Sequence, residues 1–222
     1  MCGRFTIMLD ADDLREALDL GSIPEDWRPR FNLAPSQLAG VVVDANTRNL
    51  GWMKWGLVPA WAKDAQIGSR MINARAETLA EKPSFRQAYA KRRCLIPADG
   101  FYEWQRPAGG KGPGIPYHIH LLEGRPFFIA GLWESWQGTE APPLLTFTII
   151  TTQANALVEP IHDRMPVLLT GDQAWDWISP HSVDELAGFL RPYPPEQMEL
   201  QRVSLAVNNP ANDSPAVVQG EK

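Results

Sequence analysis

Short apolar runs arranged in pairs around tight turns constrain this chain more than any other feature. Leu38–Val43 and Leu50–Trp55 flank one turn, and Tyr117–Leu122 and Phe127–Leu132 flank Glu123-Gly124-Arg125. Leu144–Thr151 is a β-branched run, and shorter strands fit Arg93–Ile96, Phe101–Gln105, Val167–Leu169 and Leu200–Leu205. Runs rich in branched and aromatic residues suit a half-buried pleated surface, and close pairing predicts antiparallel hairpins. Helical signals are few. Asp10 caps a short amphipathic stretch with Leu14 and Leu18, Pro83 opens another through Tyr89, Asp172–Ile178 adds a turn or two, and Ser182–Glu185 is a capping box before Leu186 and Leu190. Without a strand–helix alternation, a parallel sheet is disfavoured, and the pattern predicts an α+β domain with a barrel-like, mostly antiparallel sheet and a few short helices.

With 222 residues, 44% of them hydrophobic, the chain can bury a full core, and no composition shift marks a boundary. A single domain over residues 2–222 is expected, with the polar segment from about 208 packing on it or trailing from it. The 20 prolines and the Arg106–Gly114 segment predict long, fixed surface loops. Two cysteines make neither a disulfide framework nor a zinc site, and no apolar leader or long apolar run is present, so a cytoplasmic protein that does not span a membrane is expected.

Cys94 lies in the apolar run Cys94-Leu95-Ile96-Pro97 and reads as a buried thiol. Cys2 is different. An initiator methionine ahead of a small residue is normally trimmed, which would leave Cys2 with a free amine beside its thiol. The amine titrates near ~7.7–8.0 and the thiol near ~8.5, so both are usable nucleophiles at neutral pH. Such an aminothiol can attack an amide or ester, or condense with an aldehyde through an imine that the thiol closes into a thiazolidine. An incidental small residue at position 2 is the alternative.

Charge is uneven along the chain. The net charge is −5, yet Arg70–Cys94 carries seven basic residues against two acids, and Glu134 onward carries twelve acids against four bases. A basic face on an acidic protein is therefore open, as is an ordinary solvated surface. Four segments look too polar or too aromatic for their neighbours. Asn73-Ala74-Arg75-Ala76-Glu77-Thr78 groups an amide, a cation and a carboxylate. Asp99-Gly100-Phe101-Tyr102-Glu103-Trp104 sets a carboxylate between aromatics, surroundings that raise a carboxyl pKa and suit proton transfer, unless Glu103 is simply an outward strand residue. Ile161-His162-Asp163-Arg164-Met165-Pro166 gives one imidazole charged neighbours. Trp52, Trp55 and Trp61 cluster around Gly56–Ala60 just before the basic segment; core packing accounts for most tryptophans, but an aromatic face beside arginines also suits single-stranded nucleic acid.

These segments, with Met1-Cys2-Gly3-Arg4-Phe5, Arg30-Phe31-Asn32-Leu33-Ala34-Pro35 and Trp55–Trp61, resemble in order the SOS-response-associated peptidase (SRAP) family, whose members include abasic-site shielding proteins. The likeness runs from Cys2 to the Val207-Asn208-Asn209 region. It implies one α+β domain and covalent attachment of an N-terminal cysteine to abasic sites in single-stranded DNA. Cys2 is then the nucleophile, surrounded by Asn73, Glu103 and His162. Arg4, Arg75 and Arg164 match positions near phosphates, and Asn32, Pro35 and Trp61 match positions lining the DNA cleft. His118 departs mildly, standing where a plain aromatic is common. No metal or organic cofactor is implied, and a monomer that meets the nucleoid when bound to DNA is expected. An AP lyase side activity and a thiol peptidase using Cys2 and His162 come with the resemblance. An N-terminal-nucleophile amidohydrolase also begins Met-Cys-Gly, but this chain holds no Asn-Gly pair to supply that oxyanion site. A non-covalent single-strand reader would leave Cys2 unexplained.

Overall fold

The computed structural model describes residues 2–106, 112–138 and 142–220. Among them are thirteen strands: β1 (Phe5–Ile7), β2 (Arg30–Leu33), β3 (Leu38–Val42), β4 (Leu50–Trp55), β5 (Asn73–Arg75), β6 (Arg93–Ala98), β7 (Gly100–Gln105), β8 (Ile115–Leu121), β9 (Phe127–Trp136), β10 (Leu144–Gln153), β11 (Arg164–Pro166), β12 (Leu168–Leu169) and β13 (Met198–Arg202). The short helices are α1 (Ala11–Ala17), α2 (Arg86–Lys91), α3 (Asp172–Ile178) and α4 (Val183–Leu186). Strands β10, β4, β3, β6 and β9 follow one another, and β9 pairs back onto β10 over Leu144–Ile149, closing a five-stranded barrel. Closure satisfies backbone groups that an open edge would leave bare. The pairings are antiparallel except where β4 and β5 run parallel to β10. The second sheet has the order β13-β8-β7-β1-β2.

Side chains alternate along the barrel strands, as a period of two requires. Leu95, Phe128, Ala130, Leu132 and Ile150 face one core with residues of all four helices, such as Leu14, Tyr89, Trp177 and Leu186. Cys94, Ile96, Ile129, Phe147 and Ile149 face the other core, shared with Phe5, Phe101 and Ile119 of the second sheet. The chain passes between the sheets at Asp99, between β6 and β7. Its carboxylate accepts the Thr6 hydroxyl at 2.5 Å and the Met8 N–H, while its own N–H donates to the Thr6 carbonyl at 3.0 Å. The Thr6 oxygen also lies 3.1 Å from His118 Nε2. Burial pushes the Asp99 carboxyl up and His118 down to about 3, so the imidazole is neutral here.

Several expectations shift. The helix expected from Pro83 starts at Arg86, because Pro83–Phe85 form a turn. Leu200–Leu205 is displaced to Met198–Arg202, and Ser204 instead caps a short turn over Leu205–Asn208. The run Val167–Leu169 is two strands' meeting point, β11 ending at Pro166 and β12 starting at Leu168. The Arg106–Gly114 loop falls largely outside the described residues. The segment 203–220 folds back onto the second sheet: Val203 bridges Gly220, and Val207 and Val217 pack with Tyr102.

Candidate active site

The position of Cys2 follows from strand register. Phe5 lies opposite Phe101 and Thr6 opposite Gly100, and the Tyr102 N–H donates to the Arg4 carbonyl at 3.0 Å. Continued toward the start of the chain, this register sets Gly3 opposite Glu103 and Cys2 one residue further on, close enough for the Glu103 charge to act on its thiol. Cys2 has no exposed surface, and its thiol donates a weak bond to the Arg4 carbonyl at 3.8 Å. Burial, then the neighbouring Glu103 charge, push the thiol well above its ordinary value, so it is held as a thiol at neutral pH.

Glu103 is 2% exposed, and burial raises its carboxyl to about 7. It is therefore close to half-protonated at neutral pH and suited to take or give a proton. Asn73 arrives from β5, set parallel to β10 with Asn73 opposite Ile149 and Arg75 opposite Thr151. Its amide nitrogen donates to the Cys2 carbonyl at 2.8 Å. Its Oδ1 is buried without a hydrogen bond to any described residue, an acceptor available for a ligand's N–H or O–H.

On the other edge of β10, β11 places Arg164 opposite Gln153. The Arg164 backbone N–H donates to His162 Nδ1 at 3.0 Å, so the neutral ring carries its proton on Nε2. Asp163 Oδ1 also lies 3.0 Å from Nδ1, a contact that stabilises the ring only when it is protonated. Burial, foremost, lowers the His162 pKa, which favours the neutral form.

The six residues expected at a DNA surface separate into two groups. Arg75 is exposed, and its guanidinium makes no hydrogen bond or ion pair with a described residue. Trp61 is 60% exposed on the loop between Gly56 and Gly68. That loop is pinched at its base: Gly56 has φ +125°, and a Cβ on it would lie 2.6 Å from the Gly68 carbonyl oxygen. Trp136 braces it from outside by donating to the Ala62 carbonyl at 2.8 Å. Pro35 is half-buried at the end of β2. The other three are engaged internally. Arg164 forms a two-bond fork with Glu77, at 2.7 and 2.9 Å, and donates to the Thr151 carbonyl at 2.6 Å. Arg4 donates to Asn32 Oδ1 at 2.6 Å and to the Val207 carbonyl at 2.7 Å.

Asn32 requires a correction. Expected to line a cleft, it has no exposed surface, and its amide donates to the carbonyls of Val207, Asn209 and Asn212 at 2.9–3.1 Å. It ties down the C-terminal segment, beside Asp213, which accepts the Phe31 and Asn32 N–H groups and pairs with Arg30. The basic stretch is likewise less uniform than its charge suggests. Arg93 is buried, donating to the carbonyls of Tyr89, Ala90, Trp177 and Ser179, and Arg92 pairs with Glu134 at 2.7 Å. Sequence reading missed Glu77 as the partner of Arg164, although its place in the Asn73–Thr78 cluster was the available signal.

Residues 1–210 match the family described as SOS response associated peptidase (SRAP). The chain belongs to the SRAP family. This SRAP chain is 46% identical over 224 residues to the abasic site processing protein YoqW of Bacillus subtilis, covering 99% of each. It is 32% identical to the abasic site processing protein HMCES of Gallus gallus, covering 97% of this chain and 76% of that one. A crystal structure of a protein from Bacteroides thetaiotaomicron superposes with a TM-score of 0.88 at 27% identity, covering all of both chains. Among the described residues of the SRAP domain, no cluster of three or more His, Cys, Asp or Glu is placed to hold a metal, and no helix is long and apolar enough to cross a membrane.

Proposed function

We propose that this protein recognises abasic sites in single-stranded DNA and covers them by a covalent DNA–protein cross-link through Cys2. The observation that carries the reading is the convergence of Cys2, the Asn73 amide and the buried Glu103 carboxyl from three separate strands or strand extensions. The names of the relatives supply the lesion.

Once Met1 is removed, the Cys2 amine attacks C1′ of the ring-opened deoxyribose aldehyde to give a carbinolamine. Loss of water gives an imine. The sulfur then adds to the imine carbon as the thiol proton passes to nitrogen, closing a thiazolidine; the net change is aldehyde plus aminothiol to ring plus water. Glu103, at about 7, relays the protons of these steps. Asn73 holds the Cys2 carbonyl with its amide nitrogen and offers Oδ1 to the sugar or amine. His162 supports the opened sugar with its Nε2 proton and assists reversal. Arg75 takes a phosphate and Trp61 stacks on a base, while Arg4 and Arg164 shape the cleft from within. Met1 removal is the one peptide cleavage this reading requires.

The test is incubation of purified protein with an abasic single-stranded oligonucleotide, read as a heat-stable shifted band and an intact mass lacking Met1. An uncleavable extension ahead of Cys2 is expected to abolish the band, because an acylated amine cannot form the imine. Normal cross-linking by that extended protein would overturn the mechanism.

A further inference from the structure

Nδ1 of His162 is met by two groups with opposite demands. The Arg164 backbone N–H reaches it at 3.0 Å, and Asp163 Oδ1 lies at the same 3.0 Å. A donor there needs a bare nitrogen, whereas a carboxylate needs a proton on it. The approach of Asp163 is built into the backbone: its carbonyl accepts the Ala154 N–H at 3.0 Å, where the loop after β10 enters β11.

The two arrangements differ in what Nε2 can do. With Nδ1 bare, the neutral ring keeps its proton on Nε2 and can only donate a hydrogen bond there, since losing that proton would leave an imidazolate. With Nδ1 protonated toward Asp163, Nε2 can give a proton away and take one back while the ring stays within its ordinary imidazolium and imidazole forms.

We propose that Asp163 is a positioning residue that holds the Nδ1 proton of His162 and thereby turns Nε2 into a proton donor and acceptor. The inference rests on the abasic-site reading for its reaction, but not for the protonation of the ring. As the sugar opens, the C1′–O4′ bond breaks, O4′ takes the Nε2 proton of the imidazolium, and the C1′ hydroxyl proton passes to Glu103. His162 is left neutral, with its proton on Nδ1 facing Asp163. When the sugar recloses on release, Nε2 takes the proton back. Burial, the chain's amino terminus and Arg106 all disfavour the imidazolium, and Asp163 favours it. Asp163 also raises the Glu103 carboxyl, so its actions on the two groups have to be separated.

The test has two readouts. Histidine-ring NMR of the DNA-free full-length protein, followed from about pH 5 to 8, gives the His162 pKa and tautomer directly. The Asp163 side chain is 85% exposed, so its contact is solvent-screened, and Asp163→Asn is expected to lower that pKa by roughly half a unit at an unchanged Tm, with Asp163→Glu restoring most of it. In cross-linking to an abasic single-stranded oligonucleotide the imidazolium is the active form, so the His162-dependent rate falls as pH rises through its pKa. Asp163→Asn should move that limb to lower pH, a loss of about threefold at neutral pH. A His162→Ala background should erase the effect of Asp163→Asn. An unchanged His162 pKa, or an Asp163→Asn loss that persists in His162→Ala and disappears in Glu103→Gln, would overturn the proposal. If the wild-type protein makes no cross-link, the abasic-site reading fails, and the ring titration still decides whether Asp163 holds the proton.

Discussion

Cys94 and Cys2 are equally buried, both without exposed surface, and burial raises the pKa of both thiols. Their surroundings differ. Cys94 faces Ile96, Ile129 and Gly131 inside the barrel, and a Cβ on Gly131 would come within 2.9 Å of its sulfur. Nothing near it can exchange a proton, and desolvation is the sole cause of its shift. Cys2 sits at the rim where the second sheet meets β5 and β10, with a carboxyl near pKa 7 beside it and an amide on its carbonyl. Burial alone silences a thiol. Burial beside a group that can carry its proton stores a nucleophile until an electrophile arrives.

The sharpest break of this contrast exchanges sulfur for oxygen at both sites. Cys2→Ser is expected to lose the heat-stable cross-link while a borohydride-trappable imine remains, because the amine survives and the ring-closing atom does not. Cys94→Ser is expected to cross-link at the normal rate. Equal heat stability of the untrapped Cys2→Ser and wild-type adducts would remove the thiazolidine from the mechanism.

Next in size is Glu103→Gln, which removes the proton carrier and leaves the shape. Cross-link formation should slow by roughly 10²–10⁴-fold, and its pH dependence around 7 should flatten. The same variant tests the folded pKa. A free carboxyl titrates near 4.5 and Glu103 at about 7, so its neutral form stabilises the fold fully below the lower value, and that contribution is lost as pH rises through the upper one. The Tm of Glu103→Gln relative to wild type should therefore increase from pH 5 to pH 8; a constant difference would place Glu103 among ordinary strand carboxylates.

Smaller effects separate the rim's own parts. Trp61→Ala should cost roughly 1–3 kcal/mol of single-strand affinity with little change in salt slope, since stacking releases no counterions. Arg75→Ala should lower the slope of log affinity against log salt by about 0.7, one phosphate contact, without a change in Tm. No slope change in isothermal titrations across salt would make Arg75 a solvated surface residue. In the barrel the balance reverses. Cys94→Ser should cost about 1–3 kcal/mol in denaturant unfolding by burying a hydroxyl among apolar atoms, with DNA affinity unmoved.

Legibility followed the same division. The barrel strands β3, β4, β6, β9 and β10 were readable because each is an apolar run bounded by turn residues. Of the strands that build the site, β7 with Glu103 was readable as Phe101–Gln105, but the others were not. β1, β2, β5 and β11 are three or four residues long and carry Arg30, Asn32, Asn73, Arg75 and Arg164, so neither length nor hydrophobic alternation marks them. Their backbone order comes from neighbours, β10 for β5 and β11 and β7 for β1, rather than from their own propensity. Motif identity nevertheless found the residues, because the chemistry of a cysteine, an amide and a carboxylate depends on type and not on secondary structure.

What the amino-acid sequence determined alone was the fold class, the family and the cast of reactive groups, since patterning and residue chemistry are local properties. Only the tertiary structure decided which of those groups face a ligand. Asn32 and Arg75 look alike as polar residues in motifs, but one is sealed under the C-terminal segment and the other stands in solvent. Arg164 looks like a free cation until Glu77, 87 positions away, closes on it. Burial and pairing arise from contacts distant in sequence, and it is these that set a group's protonation and availability.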